Sequence, residues 1–270
     1  MPLPPERAQT LAILRGVAAE GGWRCVLIGG SVPEVIASRG AQTRATFDAD
    51  AIVSTATWEE FESLKRALEG RGFRRGAPYQ MFSPDGVEIN LIPFGEGVVE
   101  GPHILWPGGG RMSALGLAEA LETAIPTEID DQFQIDVIPE PTFVLLKLIA
   151  YQDRPEERRR DVADVIACCE RSEIDSNRRY EASGVAVDDV PVSFDDAGAL
   201  VLGLDVTSIA HADSRDAAGR FFESVRSPDA TPVSHAVMEE GRSFLGEERR
   251  EQVFRLLRVL RAGMLSSVTP

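Results

Sequence analysis

The chain has 270 residues, 43% of them hydrophobic, enough for a sizeable buried core and more than one compact unit. Its 28 basic residues are outnumbered by 43 acidic ones, and the net charge of -15 excludes broad electrostatic adhesion to DNA or to anionic membranes, so that any nucleic-acid contact must come from a local patch. Cys25, Cys168 and Cys169 match no metal-binding spacing and cannot all pair. They read as buried thiols in a reducing compartment, and with no membrane-length apolar run and no apolar signal core the expected location is the cytoplasm.

In chain order, residues 5–20 read as an amphipathic helix built on Leu11, Leu14, Val17 and Ala18 and stopped by Gly21-Gly22. Residues 23–28 form a first strand that delivers the chain to Gly29-Gly30-Ser31. Two glycines after a strand let the backbone approach a ligand closely, and Ser31 with the amides that follow is a natural phosphate donor. A helix from Val32 to about Ser38 follows, then Arg44-Ala45-Thr46 and a second strand over 47–53. On that strand Asp48 and Asp50 point the same way, roughly 7 Å apart along the chain. Two such carboxylates repel unless a divalent cation lies between them. Their plain alternative is a solvated edge strand, and Arg44 is equally an ion-pair partner for them or a nucleotide contact.

Residues 59–69 read as a helix on Phe61, Leu64 and Leu68. Residues 79–82 and 87–92 form an antiparallel hairpin about Ser83-Pro84-Asp85-Gly86, and strand alternation puts Glu88 and Asn90 on one face, where they are candidates to meet the aspartates. The glycines from 95 to 110 mark irregular chain. A short helix near 115–121, strands around 125–129 and 133–137, a helix over 143–151 carrying Lys147, and another from Pro155 to about Cys169 come next. Residues 172–192 read as a linker or loop and the remainder as mostly helical, ending in a helix whose stripe is Val253, Leu256, Leu257, Leu260 and Met264. Lys147 on an apolar helix could simply reach solvent. Asp161 and Asp164, at helical spacing from Arg158 and Arg160, could be surface pairs.

The run Gly29-Gly30-Ser31, Arg44, Thr46, Asp48 and Asp50 resembles the nucleotidyltransferase superfamily, whose signature is a Gly-Gly/Ser loop followed by Asp-x-Asp on the next strand. Leu91-Ile92-Pro93-Phe94-Gly95, the stretch Leu145 to Tyr151, Asp153-Arg154-Pro155 and Arg160 to Asp164 look similar to the AbiEii/AbiGii-type nucleotidyltransferases, a family that includes toxins of toxin-antitoxin systems. The resemblance covers roughly residues 20 to 170. It implies an α/β (α+β) fold, with a mixed twisted sheet of the nucleotidyltransferase type over 1–138 and a mostly helical lobe over 139–270 that closes the nucleotide cleft. It also implies transfer of a nucleoside monophosphate from a nucleoside triphosphate, with Mg2+ or Mn2+, to an RNA such as tRNA or to a protein, with an antitoxin as a further partner. Asp48 and Asp50 would hold metal and Gly29, Gly30, Ser31 and Arg44 the nucleotide; Lys147 would meet the triphosphate, with Asp161 or Asp164 as its polar partner.

One departure stands out. The family pattern has a third carboxylate where this chain has Asn90, so Asn90 is expected as a neutral metal ligand, with Glu88, one pleat away, as a possible substitute. A slow or rewired transferase and a nucleotide-binding relative without catalysis both remain open. An antibiotic-modifying transferase acting on a small molecule is a third class, which no motif marks.

Overall fold

The structure, a computed structural model, describes residues 3–36, 48–129, 133–171, 176–240 and 246–265. Its contacts divide the chain into two compact units, Met1–Phe143 and Val144–Pro270.

The first unit is a mixed α/β layer. Helix α1 (Pro5–Glu20) starts on a proline, whose fixed φ suits a first turn, and buries Leu11, Leu14, Val17 and Ala18. Strand β1 (Cys25–Ile28), a 3-10 turn (Gly29–Ser31) and helix α2 (Val32–Ile36) follow, then β2 (Asp48–Ser54). Helix α3 (Trp58–Glu69) has a reciprocal cap: Thr57 Oγ1 accepts from the Glu60 amide, and Glu60 Oε2 accepts from the Ala56 amide at 2.7 Å. Strands β3 (Arg74–Arg75), β4 (Gln80–Phe82) and β5 (Glu88–Phe94) come next. The β4–β5 turn forms as expected, with Gly86 at φ 83° and the Ser83 hydroxyl accepting from the Val87 amide.

Residues expected to be irregular instead form a small meander of β6 (Val99–Glu100), β7 (His103–Leu105) and β8 (Arg111–Ser113). The strands are two or three residues long, too short for alternation to show in the sequence. Helix α4 (Leu117–Thr123) and strands β9 (Ile125–Ile129) and β10 (Phe133–Val137) complete the unit. The main sheet runs β3-β4-β5-β2-β1-β10-β9, with β2–β5 and β1–β10 parallel and the other pairs antiparallel. Ala49, Ala51, Ile89, Leu91 and Met81 are buried on one face, which leaves Asp48, Asp50, Glu88, Asn90 and Gln80 on the other. A buried ion pair, Arg7 Nη1 to Glu34 Oε2 at 2.5 Å, ties α1 to α2.

The unit boundary falls inside helix α5 (Glu140–Asp153). The second unit continues with α6 (Arg159–Arg171), which starts at Arg159 rather than Pro155 because the amides of Glu157 and Arg158 both turn back to Arg154 O. Of the expected loop over 172–192, residues 172–175 lie outside the described residues. The rest holds helix α7 (Ser176–Ala182) and a hairpin of β11 (Ala186–Val187) and β12 (Val190–Pro191). That hairpin turns on Asp188 and Asp189, both at positive φ, the conformation a tight two-residue turn demands. Helices α8 (Ala197–Ile209), α9 (Ala212–Glu223), α10 (Thr231–Glu239) and α11 (Gly246–Leu265) follow. The three cysteines are buried and unbridged. No helix among the described residues is long and apolar enough to cross a membrane.

Candidate functional site

The loop after β1 and the acids of β2 meet because of strand register. Antiparallel pairing sets Ile28 opposite Asp50, so the chain leaves β1 directly against that carboxylate. Gly29 has φ 70°, and a Cβ placed on it would lie 2.0 Å from Asp50 Oδ2. Both facts reserve the position for glycine. Ser31 is fully buried, and its hydroxyl donates to the Asp48 carbonyl at 3.0 Å. Its side chain thereby clasps the loop to β2.

Parallel pairing of β2 with β5 places Asp48 beside Glu88 and Asp50 beside Asn90, the juxtaposition expected from alternation. Asn90 Nδ2 donates to Asp50 Oδ1 at 2.9 Å. Asn90 Oδ1 is buried with no hydrogen-bond partner. Glu88 is held from the other side, its Oε1 accepting from Gln80 Nε2 at 2.6 Å. Gln80, which lies opposite Asn90, was missed by sequence reasoning. Pairing residues outward from the Ser83–Gly86 turn would have found it, since Phe82 meets Glu88 and Gln80 then meets Asn90. Among the described residues, no three or more His, Cys, Asp or Glu side chains are grouped to hold a metal ion. Arg44 and Thr46 lie outside the described residues.

The remaining candidates lie in the second unit. Lys147 Nζ is 2.7 Å from Asp161 Oδ1 and 2.7 Å from Asp164 Oδ2, with Asp161 almost fully buried. The lysine therefore neither runs to solvent nor leaves the two acids to neighbouring arginines; Arg160 pairs instead with Glu239. Burial by itself disfavours the ammonium, but Asp161 and Asp164 outweigh it and hold the Lys147 pKa above its ordinary value. Asp161 Oδ2 is buried without a hydrogen-bond partner. His235 is bound to Tyr151, with 3.0 Å between Nδ1 and the hydroxyl; burial lowers the histidine and raises the tyrosine to about 12.

The donor set in the first unit fits a divalent cation that arrives with phosphate. Mg2+ is commonly held by one or two carboxylates together with substrate phosphates rather than by an all-protein cage. Asp48 and Asp50 supply that number, and Asn90, beside Asp50 in register, adds a neutral amide whose Oδ1 is buried with no hydrogen-bond partner.

No protein-family model matches the sequence, and no curated protein matches it. Among solved structures, the chain is similar to an antigenic nucleotidyltransferase-like protein from Paracoccidioides brasiliensis. The two are 13% identical over 62% of this chain and 77% of that one, with a TM-score of 0.38. It is also similar to a tRNA-processing enzyme, 14% identical over 93% of this chain and 89% of that one, with a TM-score of 0.23. The functional reading therefore rests on the geometry of β1, β2 and β5 and on the motifs those strands carry.

Proposed function

We propose that the chain binds a nucleoside triphosphate with Mg2+ or Mn2+ and moves its nucleoside monophosphate to an acceptor hydroxyl, breaking the bond between the α- and β-phosphates and releasing pyrophosphate and the hydroxyl proton, as the resemblance to AbiEii/AbiGii-type nucleotidyltransferases implies. The observation that carries this is the approach of Gly29 to Asp50, which sets a glycine-rich loop against a pair of carboxylates on one sheet face. In this reading Asp48 and Asp50 hold the metal, and the Gly29-Gly30-Ser31 backbone takes the phosphates. Ser31 acts as a positioning residue through its bond to Asp48. The bound cation would neutralise charge on the triphosphate, the principal need of a loose in-line phosphoryl transfer.

Asn90 favours a second reading, nucleotide binding without transfer, because an amide cannot supply the negative charge that helps activate an attacking hydroxyl. Incubation with each radiolabelled triphosphate, Mg2+ or Mn2+, and total RNA separates the two. Transfer of label that disappears in Asp48→Ala/Asp50→Ala supports the enzyme. Nucleotide retention with no transfer under either metal supports the binding protein.

A further inference from the structure

We propose that this is a one-cation site: Asp48 and Asp50 hold a single divalent ion, retained only together with the triphosphate, and no second ion is held because Asn90 supplies no carboxylate. The inference rests on the nucleotide-site reading above and specifies how that site is charged.

The two oxygens of Asp50 face different surroundings. Oδ2 is the atom that a Cβ on Gly29 would strike, so it is turned to the glycine loop. Oδ1 is turned to β5, where it accepts from Asn90 Nδ2. A cation beside Oδ2 lies where phosphates carried by the loop would share it. A cation beside Oδ1 would meet the positive end of an amide N–H dipole. Rotating the amide would remove that clash and turn an oxygen to the ion, but a neutral one, so in either orientation Asn90 adds no negative charge to hold a second ion.

Charge leads to the same conclusion. Paired divalent ions in such sites lie about 3.5–4 Å apart and need bridging anions to offset their repulsion. Here the carboxylates at hand are Asp48 and Asp50. Glu88 is adjacent in register, but its carboxylate accepts from Gln80 on β4, and no third acid among the described residues joins the pair. A site with two carboxylates and an amide is suited to one ion chelated in advance by phosphate.

Mn2+ is the probe, counted on the full chain by the paramagnetic signal of the free ion, with and without the non-transferable analogue α,β-methylene-ATP. Counts are taken relative to Asp48→Asn/Asp50→Asn to remove ions held by the acidic surface. The natural protein should retain little Mn2+ alone and one ion per chain with the analogue. Asn90→Asp should retain two with the analogue and bind Mn2+ about tenfold or more tightly without it. Asn90→Ala, which removes the amide without adding charge, should stay at one. Thermal melting with and without Mn2+ checks that each variant is folded, and only Asn90→Asp should be raised by the metal alone. Two ions in the natural protein, two in Asn90→Ala, or one in a folded Asn90→Asp would each overturn the inference while leaving nucleotide binding intact. No analogue-dependent Mn2+ in any variant would sink the nucleotide-site reading, and this inference with it.

Discussion

Gly29 is constrained twice, by its backbone angle and by its neighbour, and the two constraints can be separated. Gly22 has a similar φ, 73°, but a Cβ there meets nothing within 4 Å. Both Gly22→Ala and Gly29→Ala should carry the strain of a left-handed non-glycine residue, about 1–3 kcal/mol in denaturant unfolding. Only Gly29→Ala should also displace Asp50 and abolish retention of Mn2+ with the nucleotide analogue; equal binding in the two variants would place the loop outside the site. Lys147 calls for a pH argument. Because Asp161 and Asp164 raise its pKa in the folded state above 10.5, its contribution to stability is complete below that value and is lost as pH rises through the higher folded one. Lys147→Met strands the acids and should cost about 3–5 kcal/mol at neutral pH. The difference between Lys147→Met and the natural protein should shrink in alkaline unfolding titrations; a gap that persisted there would show that packing, not charge, is what the lysine supplies.

At the scale of elements, α8 and α11 of the second unit pack backbone against backbone at two glycines. A Cβ on Gly203 would lie 2.3 Å from Leu260 O, and one on Gly263 would lie 2.3 Å from Leu200 O. The Thr207 hydroxyl crosses the same seam to Met264 O at 2.9 Å. Gly203→Ala or Gly263→Ala must therefore push backbone from backbone, with an expected loss of about 1–3 kcal/mol or more. The double variant should lose less than the sum, because a seam already opened by one methyl accommodates the other. Full additivity in urea unfolding would mean that the two glycines do not share one contact. This pair also shows what the sequence conveys about an element and what it withholds. The stripe Val253, Leu256, Leu257, Leu260 and Met264 was legible because helical period alone assigns it inward, and all five are buried. The role of the glycines was not legible, since it depends on which helix arrives opposite.

Across the whole molecule the same division recurs. Alternation puts Asp48 with Asp50 on one face of β2 and Glu88 with Asn90 on one face of β5, because a strand's period of two leaves no other choice; that the two pairs meet is fixed by the parallel pairing of those strands, for which the sequence offered them only as candidates. The sequence could not convey direction within that face: that the Asn90 amide turns its N–H to Asp50, that Gln80 draws Glu88 aside, or that the Ser31 hydroxyl turns to a carbonyl. Those are choices among hydrogen-bond partners brought together only by folding. The Arg7–Glu34 pair belongs to the same class, and it bears on how the chain tolerates cutting. Its two side chains are 5% and 8% exposed, so an aminopeptidase or a truncation that removed α1 would take a buried ion-pair partner from Glu34 on the helix that follows the glycine loop. The amino-terminal helix is thus a structural brace for the helix next to the glycine loop, and trimming it would be felt at α2, directly after Ser31, as well as at the site of the cut.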